Sequence, residues 1–104
     1  MRAFSLLLAC LFLAAPIPWT TADFVTETDV KIGLLSPLSG PIAVYAPGFE
    51  DAADVAIAEL NDIYDGDYNF ELVVGDSGCD GSTAATAAQA LVDDGVIGIA
   101  GAAC

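Results

Sequence analysis

Histidine is absent from this 104-residue chain, and only two residues, Arg2 and Lys31, carry a positive side chain. Without histidine there is no Ser-His-Asp or Cys-His arrangement to activate a nucleophile, and the commonest metal ligand is missing. No Gly-x-Ser-x-Gly elbow and no Gly-x-x-x-x-Gly-Lys phosphate loop occurs. The shortage of bases also excludes a nucleic-acid partner, because phosphate contacts supply most of that affinity. Cysteines number three, Cys10, Cys79 and Cys104. Their wide spacing supports neither a zinc site nor a Cys-x-x-Cys redox pair. No apolar run reaches the roughly 20 residues needed to span a bilayer. The longest, Ala3 to Ala15, follows Arg2 and precedes Pro16-Ile-Pro-Trp-Thr-Thr-Ala22. A basic start, a short apolar stretch and small residues at Thr20 and Ala22 are the layout of a secretory signal peptide over residues 1–22, cleaved after Ala22. An uncleaved anchor and lipidation at Cys10 are the weaker readings of the same stretch.

Removal of 22 residues leaves 82, with all 15 acidic residues set against Lys31, a formal charge of −14. Such a surface also repels anionic membrane, so no stable membrane insertion is expected after cleavage. The acidity accompanies abundant Val, Ile, Leu and Ala in periodic runs, which favours a folded chain over a disordered one. A chain of this size buries little more than about 60% of the surface its unfolded form exposes. Export to an oxidising compartment makes a disulfide the default for Cys79 and Cys104.

Along 23–104 the hydrophobic period changes repeatedly. Val30 to Ser36 is a compact apolar run suited to a buried parallel strand. Pro37 to Gly48 holds three prolines and two glycines and reads as a long loop. Phe49, Ala52, Ala53, Ala56, Ile57 and Leu60 then form a helical stripe, with Glu50, Asp51, Asp54 and Glu59 off it. Asn61 to Asn69 reads as an acidic surface turn, and Phe70 to Asp76 as a second strand. Ser82 is taken as the N-cap of an Ala-rich helix that Gly95 stops. Val96 to Ala100 is a third strand, and Gly101 opens the loop beyond it. The order β-α-β-α-β predicts an α/β fold with a doubly wound, parallel, three-stranded sheet. Ligands bind such sheets at the carboxyl ends of the strands, here the loops 37–48, 77–81 and 101 onward.

Two acidic groupings invite chemistry. Asp76 and Asp80 could be drawn as an acid/base pair, but aspartates at strand ends more often cap or turn. Asp62, Asp65, Asp67, Asn69 and Glu71 offer calcium-type oxygens without the offsets of an EF-hand loop. Neither is adopted: no catalytic residue, metal ligand or cofactor is assigned, and the chain reads as a binding protein.

Four stretches carry a resemblance: Val30-Lys-Ile-Gly-Leu-Leu-Ser-Pro-Leu-Ser-Gly-Pro-Ile-Ala-Val-Tyr45, the helix ending Ala-Glu-Leu-Asn61, Asp76-Ser-Gly-Cys-Asp80, and Gly95-Val-Ile-Gly-Ile-Ala-Gly-Ala-Ala-Cys104. In this order they resemble the leucine/isoleucine/valine-binding proteins of ABC importers, which have the type 1 periplasmic binding fold. The resemblance implies a periplasmic or secreted substrate-binding component for amino-acid import, branched-chain class, that serves an ABC permease. An extracellular sensing domain of a receptor or amide-type regulator shares this fold and is the alternative. By the same resemblance Cys79 and Cys104 match a disulfide pair. Tyr45 matches a tyrosine that packs on the bound amino acid, and Ala103 and Cys104 match the start of the loop that meets its α-carboxylate. The family is a two-lobed clamp, so 23–104 corresponds to the opening part of lobe one. The chain is accordingly expected to be a truncated head of such a protein. It lacks the groups that would hold both charged ends of an amino acid, so tight binding by this stretch alone is not expected.

Overall fold

The computed structural model describes residues 27–104; the proposed signal peptide and its cleavage site lie outside that range. Three strands and two α-helices alternate: β1 (Thr28–Ser36), α1 (Ala46–Ile63), β2 (Tyr68–Asp76), α2 (Gly81–Asp93) and β3 (Ile99–Ala100). A single 3₁₀ turn, Ala43–Tyr45, precedes α1. The sheet is wholly parallel, with strand order β2-β1-β3. The α/β class and the parallel three-stranded sheet are therefore those the periodicity implies.

Side chains alternate across each strand, and the two helices take opposite faces. Ile32 and Leu34 of β1, Leu72 of β2 and Ala100 of β3 share one side with Ala53, Ile57 and Leu60 of α1. Leu91 of α2 occupies the other side, over Gly33 and Gly75. Side chains at those two glycines would press against Leu91, so their absence lets α2 approach the sheet closely. The core is small: Leu34, Leu35, Pro37, Ala46 and Leu91 are buried.

The ends of the elements differ from the sequence expectation by a few residues, each for a local reason. β1 and β2 begin two residues early because Thr28 and Asp29 pair with Tyr68 and Asn69, and Asn69 donates to Asp29. α1 begins at Ala46, since Pro47 fits the first turn, where its missing N–H costs nothing. The N-cap of α2 is Asp80 and not Ser82. Asp80 has the extended backbone of a cap, and its carboxylate accepts from the N–H of Thr83 at 2.8 Å. β3 is reduced to two residues, although Ile97 and Gly98 still exchange backbone hydrogen bonds with Lys31 and Gly33.

At the amino end of β2 the α1–β2 connection is fastened by Asn61, whose side chain bonds both the N–H and the carbonyl of Phe70. Tyr64, Tyr68 and Phe70 pack there with ring centroids about 6 Å apart. Lys31 pairs with Asp94 at 3.1 Å beyond the end of α2, a solvent-exposed contact of small energetic weight. None of the helices in the described residues is long and apolar enough to cross a membrane.

Candidate functional site

Strand order 2-1-3 places a topological switch between β1 and β3. The chain leaves β1 toward β2 on one side, whereas α2 carries it back across β1 to β3 on the other. The loops leaving β1 and β3 therefore diverge and open a crevice at their carboxyl ends. A cavity of about 250 Å³ lies at this place, lined by Leu34, Leu35, Phe49, Ala52, Gly101, Ala102 and Ala103. The lining is aliphatic and aromatic, with no charged side chain. A larger hollow of about 510 Å³ runs along exposed residues of α2, from Ala85 to Asp93. It is a surface depression and not a site.

The residues expected at the site are only partly assembled. Ala103 lines the crevice. Cys104 is joined to Cys79 by a disulfide with Cα atoms 5.2 Å apart, which ties the loop after β2 to the segment after β3. Tyr45 stands on the 3₁₀ turn, 62% exposed and outside the crevice lining. Phe49, which the sequence shows only as a helix-face residue, contributes an aromatic wall to the crevice. Its position one turn into α1, on the flank next to the strand ends, follows from the helix beginning at Ala46.

Both aspartates at this edge serve as hydrogen-bond acceptors. The Ser39 hydroxyl, then the Gly78 N–H, hold the Asp76 carboxyl below its usual range. The Ser82 hydroxyl, then the N–H and hydroxyl of Thr83, lower Asp80 to about 2. A general acid needs the opposite displacement, toward the working pH, so this pair is organised to cap and turn and not to exchange protons. The acids of the α1–β2 turn are also spread out. Among the described residues no three carboxylate or thiol groups converge on a common cation position. The hydroxyls of Ser36 and Ser77 are fully buried at the same edge without a partner among the described residues.

A family model described as periplasmic binding protein matches residues 29–103. A leucine-, isoleucine-, valine-, threonine-, and alanine-binding protein from Pseudomonas aeruginosa is 32% identical over 100 residues, covering 93% of this chain and 26% of the relative. The chain thus spans about a quarter of that curated relative. No solved structure matches it. The matched region contains all of the described sheet but Thr28, both α-helices and the crevice between β1 and β3, so sequence likeness and topology point the same way. The chain belongs to the periplasmic binding protein family.

Proposed function

We propose that this protein is the substrate-binding component of an ABC importer for amino acids, with small aliphatic side chains as the preferred ligands. The observation that carries the reading is the 32% identity, across 93% of the chain, to a protein named for binding leucine, isoleucine, valine, threonine and alanine. Physical features of the crevice support it. Leu34, Leu35, Phe49 and Ala103 offer an apolar wall that suits an aliphatic side chain and penalises a charged one, which would be stripped of water without a partner. The strongly acidic surface further disfavours anionic solutes such as glutamate.

In this reading residues 1–22 direct export and are removed, residues 23–104 form the opening part of lobe one, and the work is done in the periplasm. Ligand is captured reversibly at the carboxyl edge, with Tyr45 and Ala103 among its contacts. Closure of a second lobe over the crevice then presents it to the permease. The protein acts by binding and releases its ligand chemically unchanged. The test is equilibrium dialysis of the protein with both lobes present against labelled leucine. Retention that unlabelled valine displaces and glutamate does not is the expected result. Equal leucine on both sides of the membrane at every protein concentration would overturn the reading.

A further inference from the structure

Asp76 is the last residue of β2, yet its side chain bonds no other strand residue. One carboxylate oxygen accepts from the N–H of Ser39 at 3.1 Å and from the N–H of Gly78 at 2.8 Å. The other accepts from the Ser39 hydroxyl at 2.6 Å. A turn cap for the β2–α2 loop requires only the bond to Gly78. Both bonds to Ser39 reach across to the loop after β1.

The neighbouring backbone repeats the connection. Gly40 follows Ser39 and lies so close to the second loop that a Cβ on it would sit 2.5 Å from the Gly78 carbonyl oxygen. The next residue, Cys79, is bonded to Cys104. The loops after β1 and β2 and the segment after β3 are thereby joined in series: Ser39 to Asp76, Gly78 to Cys79, Cys79 to Cys104. Asp76 supplies the side-chain link between the first loop and the rest. Tyr45 and Phe49 lie downstream of Ser39 on that first loop and the helix it leads into, and Ala103 precedes Cys104.

We infer that Asp76 is a positioning residue for the crevice: its carboxylate latches the first loop to the disulfide-linked loops and so fixes the two walls of the site relative to each other. The inference rests on the reading of the crevice as an amino-acid site. A carboxylate suits the task because all three groups it meets are donors. Alanine removes all three bonds, whereas asparagine keeps them in neutral form, its N–H₂ donating to the Ser39 hydroxyl. The lowered proton affinity of Asp76 agrees with a group held by donors.

Asp76→Ala and Ser39→Ala in the protein with both lobes present, followed by amide hydrogen exchange and by leucine titration, test the inference. Exchange across 38–45 is expected to rise about tenfold, the effect of losing one hydrogen bond to a charged acceptor, while β1 and the second half of α1 keep their protection. Leucine affinity is expected to fall by a similar factor. Ser39→Ala removes one hydroxyl without touching the strand, so it keeps the test open if Asp76→Ala fails to fold. Unchanged exchange in the first loop of the folded variant overturns the latch. Raised exchange with unaltered leucine affinity overturns the positioning role. If the wild-type chain does not respond to leucine, the amino-acid reading falls, and the exchange comparison still decides the latch.

Discussion

At the scale of single residues, Gly40 and Asp80 carry the most specific demands. Gly40 has φ of +89°, a region L side chains rarely adopt, and no room for a Cβ against the Gly78 carbonyl. Gly40→Ala should therefore cost about 1–3 kcal/mol, read as a lowered urea midpoint at unchanged slope. An unshifted midpoint would mean that the two loops are not in contact. Asp80 gathers Thr83 N–H and the hydroxyls of Ser82 and Thr83 at the start of α2. Its folded-state pKa of about 2 lies below the ordinary 3.8. The unfolded chain thus takes up the proton first, and the cap's contribution, complete above pH 4, is lost as pH falls toward about 2. Asp80→Ala should lose helical signal at neutral pH and show a weaker acid dependence than the parent. Identical acid profiles would remove Asp80 from that role. These contacts were not legible in the sequence. Ser39 and Asp76 are 37 positions apart, and nothing in a hydrophobic pattern pairs two polar residues in different loops. A hydroxyl residue just before an Ala-rich run makes Ser82 the N-cap the sequence suggests, but the extended backbone falls at Asp80.

At the scale of elements, the alternation of periods was enough to order three strands and two helices. The apolar stripe of α1 does face the sheet through Ala53, Ile57 and Leu60. Its flank at Phe49, Ala52 and Ala56 is exposed. Strand ends were hidden because Thr28, Asp29 and Asn69 extend the ladder with polar residues, to which a hydrophobic period is blind. The helix on the opposite face is held chiefly by Leu91, 4% exposed over two glycines. Leu91→Ala should cost about 2–5 kcal/mol in denaturant unfolding. A loss under 1 kcal/mol, roughly what an exposed site would show, would mean that α2 does not dock on Gly33 and Gly75. The Cys79–Cys104 bond spans a sequence separation of 25, and closing such a loop is worth about 3.5 kcal/mol in the chain-entropy model. Reduction should lower stability by that order and raise amide exchange first in 101–104. Equal stability of the oxidised and reduced chains would argue against the bond as a constraint on folding.

At the scale of the whole molecule, two features work together: a parallel sheet whose strand order reverses beside β1, and an apolar crevice at the carboxyl ends it opens. The first follows from the β-α-β-α-β pattern. The second depends on where α1 starts and how the segment after β3 returns past Leu35, which the sequence alone did not specify. The resemblance assigns Tyr45 to the ligand; Phe49 and Ala103 line the cavity, and Tyr45 stands on the 3₁₀ turn before α1. The most direct test of the central claim is a residue-resolved NMR titration of the full chain with leucine. The crevice account expects saturable shifts at Leu35, Phe49, Gly101 and Ala103, smaller ones at Tyr45, and none around Tyr64 and Tyr68 at the opposite end of the sheet. Silence at the carboxyl edge up to the solubility limit of leucine, or shifts confined to the opposite end, would contradict it.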